Sequence, residues 1–225
     1  MLARIRDSLG QSRAMLADVA ARTPHAPPPF VHPAQDDLPA QFAAELTKLE
    51  GYPHRCADDA QALDAIRDIL QRHQSSSVLA WDRDQIGLPG LDALLADLRI
   101  GVLDSAIIGP SRAERLRALE PAPVCISGAD AGIAESGTLV LRSGIGRGRL
   151  ASLIAPVHIA VLRRAQIVRG LGAALTLLQQ QHGRDLFVDS SNLTLISGPS
   201  RTGDIELTLT LGVHGPREIH VVLID

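Results

Sequence analysis

The sequence predicts a layered α/β domain built on a mixed sheet, and three observations carry that expectation. Apolar runs of strand length alternate along the chain with amphipathic helical patterns. Ile205, Leu207, Leu209 and Leu211 alternate with Glu206, Thr208 and Thr210, the cleanest period-two signal in the chain. The apolar run that follows, residues 219–224, is joined to it by only about seven residues, 212–218, whereas a parallel crossover takes about a dozen or more. If these two strands pair, they pair antiparallel, which makes the sheet mixed.

The elements follow in order. Leu2, Ile5, Leu9, Ser12, Leu16 and Val19 step by three and four residues, a helical seam interrupted at Ser12. Such a helix either docks on a partner or packs on its own domain. Pro24, Pro27, Pro28, Pro29, Pro33 and Pro39 then exclude helix or central strand and make an extended arm. Residues 1–39 are therefore read as an N-terminal helix and linker arm, which could cross to a neighbouring subunit of a homo-oligomer, and residues 40–225 as the compact domain. Asp58 is a candidate cap for a helix over residues 59–74, with Leu63, Ile66, Ile69 and Leu70 inward. Residues 78–81 read as a short buried strand, 91–98 as helix, 102–108 as strand, and 112–119 as a helix capped by Ser111. Residues 138–141 and 157–162 read as strands, 167–181 as helix, and 193–197 as a strand ending in a polar turn.

Composition bounds the function. Hydrophobic residues make up 45% of the chain but aromatics only 2%, so the core is aliphatic. A base-stacking surface needs aromatic faces the chain lacks, and a net charge of −3 excludes a globally basic nucleic-acid binder. The charged start, residues 1–13, does not read as a signal peptide, and no run of about 18 apolar residues exists to span a membrane. Cys56 and Cys125 are far apart with no CxxC partner, so free thiols in the cytoplasm are expected, with no metal or iron–sulfur centre held by this chain alone. From Ser136 to Arg184 there is no Asp or Glu, while Arg142, Arg147, Arg149, Arg163, Arg164, Arg169 and Arg184 fall there. Either buried strands exclude carboxylates, or a positive face attracts an anion.

Four segments have the residue types for chemistry. Residues 127–138, Ser-Gly-Ala-Asp-Ala-Gly-Ile-Ala-Glu-Ser-Gly-Thr, mix glycines, carboxylates and hydroxyls. Asp130 and Glu135 are the candidate acid and base, or carboxylate nucleophile, with Gly128, Ser136, Gly137 and Thr138 as ligand contacts. The alternative is a tight inter-strand turn whose Asp bonds its own backbone. Residues 197–204, Ser-Gly-Pro-Ser-Arg-Thr-Gly-Asp, offer Ser197, Gly198, Ser200 and Thr202 as an anion nest with Arg201 as a bidentate clamp, or else a plain turn. The segment lacks the GK[ST] ending of a P-loop. Residues 143–149, Ser-Gly-Ile-Gly-Arg-Gly-Arg, make a basic loop around Arg147, a lid or a flexible turn; no acidic residue follows at the spacing a dinucleotide fold requires. His214, in Gly-Val-His-Gly-Pro, lies near the Arg201 turn, and His158 reads as a core histidine; neither has the spacing partners of a metal site.

Taken together, residues 128–141, Pro156-Val-His-Ile159, residues 196–206 and residues 212–216 resemble the LUD domain family, in four ordered motifs covering about residues 124–225. Ser136 stands where Thr is common and Gly203 where Ala is common. The resemblance implies a three-layer αβα fold with a mostly parallel sheet, shared with ribose-5-phosphate isomerase and CoA transferases. It also implies a part in oxidising L-lactate to pyruvate alongside two iron–sulfur partner proteins, with the clusters on the partners and a small carboxylate or phosphorylated ligand bound here. It carries over no residue role. A CoA-transferase-like or sugar-phosphate-isomerase-like enzyme using Glu135 or Asp130, and a non-catalytic assembly subunit, are the alternatives.

Overall fold

The structure is a computed structural model that describes residues 30–31, 36–104, 112–119, 122–183, 186, 190–203 and 209–225. The expected N-terminal helix, most of the proline-rich arm, the Ser111 cap, Arg184, Asp204 and the first residues of the period-two run lie outside these residues.

Helix α1 (Leu38–Lys48) opens on Asp37, whose carboxylate accepts from Ala40 N; Pro39 sits in its first turn, where no N–H is needed. Strand β1 (Tyr52–Cys56) follows, then α2 (Asp59–Arg72), capped as expected by Asp58, which accepts from Gln61 N at 2.9 Å. Ala62, Ile66, Ile69 and Leu70 form its buried face. Next come β2 (Ser77–Ala80), α3 (Arg83–Ile86), α4 (Leu91–Asp97), β3 (Gly101–Asp104), α5 (Arg112–Leu119) and β4 (Val124–Gly128). The second half holds β5 (Ala131–Ile133), β6 (Thr138–Ser143), β7 (Val157–Arg163), β8 (Ile167–Val168), α6 (Leu171–His182), β9 (Asn192–Ile196), β10 (Arg201–Gly203), β11 (Leu209–Leu211) and β12 (Glu218–Ile224).

The main sheet has six strands in the order β1-β12-β7-β4-β2-β3, every pair parallel. The fold is thus the expected layered α/β type with a mostly parallel sheet. The antiparallel pairs lie elsewhere: β5 and β6, and β6 and β9, in a four-stranded sheet ordered β8-β5-β6-β9, and β10 with β11. The last two strands, β11 and β12, do not pair with each other, because β12 is inserted between β1 and β7.

The layers follow from side-chain alternation. Residues paired in register share a face, so His220, Tyr52 and His54 lie on the face that carries α2, and His158, Leu162 and Cys125 on the other. Leu162 and Phe42 of α1 approach Gly132 of β5, so the second sheet and α1 cover that other face. Leu139 and Leu141 join the main core, whereas Ala131, Ile133 and Val140 pack with Ala174 and Leu178 of α6 in a smaller core.

The helix expected over residues 167–181 begins at Leu171 instead. Ile167 and Val168 pair with Gly132 and Ile133, and Gly170 is extended ahead of the first helical turn. The apolar periodicity of the segment runs across that junction and conceals it.

Candidate functional site

All six parallel strands end on one edge, and the strand order locates a crevice there. From β2 the chain winds outward to β3; from β4 it winds the opposite way, to β7. Adjacent parallel strands whose connections diverge leave a gap beyond their carboxyl ends, the place where open α/β sheets bind ligands. Trp81 and Asp82 leave β2 into this gap, and Ala129 and Asp130 leave β4 into it.

A basic hairpin fills the gap. Gly144 and Arg147 exchange two backbone hydrogen bonds of 3.1 Å, which makes Ile145 and Gly146 the turn residues. Gly146 has φ +71°, the left-handed conformation that a glycine adopts without strain. Asp82 N donates to Gly146 O at 2.8 Å, and the Trp81 indole donates to Gly148 O at 3.1 Å. Arg147 is pinned on three sides. Its Nη1 donates to Asp130 Oδ1 at 2.6 Å, its Nε donates to Gln85 Oε1 at 2.6 Å, and its guanidinium lies 5.6 Å from the Trp81 ring centroid.

Asp130 is shared. Its Oδ2 accepts from Arg142 N at 2.7 Å and its Oδ1 from Arg142 Nε at 3.1 Å, while Arg142 Nη1 also reaches Ser190 Oγ. The Asp130 and Arg142 side chains are only 5% and 10% exposed, so this pair is desolvated and held by its own hydrogen bonds. Gly128 closes β4 just below, pressed against the backbone of Gln85 and Ile86.

The remaining sequence-derived candidates gather at the other end of the β5–β6 hairpin. Ser136, Thr138 and Ser197 form a hydroxyl chain with two links of 2.7 Å. Thr138 and Arg142 are four residues apart on β6, so this chain lies about 13 Å from the Asp130 cluster. The two polar turns therefore meet each other, but Asp130 is not part of their junction. Gly137 and Gly198 pack against the end of α1, at Leu46 and Leu49. Arg201 donates to Leu49 O at 2.5 Å and pairs with Glu50, satisfying carbonyl charge at the helix C-terminus. Glu135 accepts from Val31 N at 2.7 Å and from Leu171 N at the start of α6. Ser200 Oγ accepts from His214 N at 3.3 Å, and Thr202 lies on β10 opposite Thr210.

The acid-free stretch meets carboxylates from outside it: Arg142 and Arg147 meet Asp130, Arg163 meets Asp59, and Arg164 meets Asp225. Trp81, Gln85 and Ser190 were not candidates on sequence, and Arg142 was one only as a member of the acid-free basic stretch. The signal for Trp81 was available, since a lone tryptophan ending an apolar strand marks a strand end. His158 is the core histidine expected. It is fully buried, its Nε2 lies 2.8 Å from Ser127 Oγ, and burial, reinforced by the charge of His220, pushes its pKa down to about 4. The Cys125 thiol, also buried, is pushed up to about 12 by desolvation. No helix of the described residues is long and apolar enough to cross a membrane.

An open parallel sheet with a polar cluster at its topological switch point defines a layered α/β protein whose candidate site lies at that switch point. The chain belongs to the LUD domain family, which it matches over residues 39–224. It is 33% identical over 163 residues to lactate utilization protein C of Halalkalibacterium halodurans, covering 72% of this chain and 68% of that one. It is 28% identical to lactate utilization protein C of Bacillus velezensis, covering 100% of this chain and 94% of that one. Among solved structures it resembles a DUF162 family protein from Deinococcus radiodurans, with a TM-score of 0.60 and 23% identity over 86% of this chain and 100% of that chain.

Proposed function

We infer that the chain takes part in L-lactate utilisation, as a cytoplasmic subunit of the oxidation of L-lactate to pyruvate that binds a small carboxylate. The observation that carries the pathway is the similarity to lactate utilization protein C relatives, one of which matches the chain over its whole length. Electron transfer is assigned to two iron–sulfur partner proteins, with no redox cofactor on this chain.

The ligand position favoured is the crevice between the ends of β2 and β4. Arg147 already grips one carboxylate there, that of Asp130, at 2.6 Å. A 2-hydroxy carboxylate offers the same planar acceptor pair and competes for the same guanidinium. The hairpin at residues 144–147 then acts as the gate, since Arg147 lies at its base and Gly146 at its tip. Ser136, Thr138 and Ser197 have a supporting part: their hydroxyl chain fixes the closed end of the hairpin whose open end holds Asp130.

The test is genetic and uses the whole chain. Deleting the gene in a host without a second copy should abolish growth on L-lactate as sole carbon source. The wild-type gene should restore growth, and an Arg147→Gln gene at equal expression should restore it poorly. Normal growth of the deletion strain overturns the pathway; full rescue by Arg147→Gln overturns the site.

A further inference from the structure

At the opposite, amino-terminal edge of the main sheet, three side chains from distant parts of the chain converge. Glu218 and His220 alternate on β12 and so share the face that carries α2. His73, the residue that ends α2, reaches the same point because α2 runs back along the sheet and delivers its C-terminus to the strands' starts.

The donor spacing is that of a metal site. Glu218 Oε2 lies 3.3 Å from His73 Nε2 and 3.5 Å from His220 Nε2. Two ligands held about 2.1 Å from a tetrahedral zinc ion are about 3.4 Å from each other. All three donor atoms lie within 4.8 Å of one another, so only the distance between the two imidazoles must shorten.

Two further observations point the same way. His73 Nε2 is buried and makes no hydrogen bond, since its approach to Glu218 lacks hydrogen-bond geometry. A buried ring nitrogen without a partner calls for an explanation, and a bound ion is one. Behind the cluster, His54 Nε2 lies 2.9 Å from His220 Nδ1, and Tyr52 stacks on the His220 ring at 4.8 Å. With its proton on Nδ1, His220 donates to His54 and turns the bare Nε2 toward Glu218 and His73. Metal-bound histidines are oriented by such an outer hydrogen bond.

We propose that His73, Glu218 and His220 form a binding site for a divalent transition metal ion, of which Zn(II) is the best fit, with His54 as the residue that orients His220. Two imidazoles and one carboxylate suit Zn(II) over the oxygen-seeking Mg(II) and Ca(II). Glu218 is 32% exposed, so the fourth position faces solvent. The ion ties the end of α2 to β12, across the sheet from the carboxyl-edge crevice.

The experiment uses the full chain, stripped with a chelator and then titrated with Zn(II) and, separately, with Co(II). Wild type should take up one Zn(II) per chain, gain thermal stability with it, and give a visible Co(II) spectrum typical of four- or five-coordinate nitrogen and oxygen ligands. Glu218→Gln and His73→Gln are the main variants, because both side chains are partly exposed; circular dichroism confirms their folding. Each should lose the thermal shift and bind Zn(II) at least about 100-fold more weakly, and His54→Gln about 10-fold to 100-fold more weakly. No uptake by the wild type, or undiminished affinity in folded Glu218→Gln and His73→Gln, overturns the proposal.

Discussion

Asp130 Oδ1 receives hydrogen bonds from two guanidinium groups, Arg147 at 2.6 Å and Arg142 at 3.1 Å, and thereby joins the basic hairpin to the second sheet. One carboxylate, just past the end of β4, thus holds both β6 and the hairpin that continues from it.

Asp130→Ala should therefore be a severe substitution. It leaves Arg142 Nε and the Arg142 backbone N–H buried without their acceptor, and breaking a buried pair from one side costs about 3–5 kcal/mol. Asp130→Asn keeps an acceptor for Arg142 N and should cost clearly less. Urea unfolding of the two variants checks the ranking; equal losses would mean that the charge of Asp130 carries the whole effect and the retained acceptor none of it.

Trp81, the single tryptophan of the chain, reports on the hairpin. Its indole donates to Gly148 O and its ring lies beside Arg147. Lactate or pyruvate binding at Arg147 should change its emission and its quenching by acrylamide, and Arg147→Gln should abolish the response. A ligand-induced change that survives in the variant would place the ligand elsewhere.

Gly137 has φ +60°, and a Cβ there would stand 2.4 Å from Leu46 N, in the backbone of α1. Gly137→Ala should cost about 2 kcal/mol or more. Gly87, with φ +71° and nothing within 4 Å, isolates the conformational part, and Gly87→Ala should cost about 1 kcal/mol. Thermal denaturation of the pair separates steric clash from backbone preference.

His158 sets a pH dependence. Its pKa falls from 6.5 to about 4 on folding, so below pH 6.5 the unfolded chain takes up a proton that the native chain refuses. This contribution is fully present above pH 6.5 and is lost as pH falls toward 4, at about 1.4 kcal/mol per pH unit and about 3 kcal/mol in all. His158→Gln should flatten that slope relative to wild type whatever its absolute stability. An unchanged slope between pH 6.5 and pH 4.5 would mean that His158 is protonated in the native state.

What the sequence reveals here is local. The inward Ile66, Ile69 and Leu70, the Asp58 cap and the apolar runs of β2 and β7 all follow from spacing alone, whereas Ala62 takes the buried place expected of Leu63 and strand β4 is not among the strands the sequence predicts. Strand β1 is hidden because Tyr-Pro-His-Arg-Cys contains a proline and little apolar pattern, which only an edge strand tolerates. Asp130 and Arg147 were visible as candidates, but the crevice they occupy is defined by strand order, which no spacing encodes. His73, Glu218 and His220 are invisible as a set for the same reason: the fold alone brings residue 73 to residues 218 and 220.

The insertion of β12 between β1 and β7 has a consequence for how the protein is made. Among the described residues, β1 pairs only with β12, and their contacts join residues 166 positions apart, as between His54 and His220. While the ribosome is still synthesising the second half, the residues of β1 have already emerged but their pairing strand does not yet exist. The sheet is closed last, by the strand next to its β1 edge, and until then the facing edges of β1 and β7 stand open to pairing with other chains. Nascent chains stalled before residue 218 are expected to bind chaperones and to aggregate, and completion of this one strand should release them.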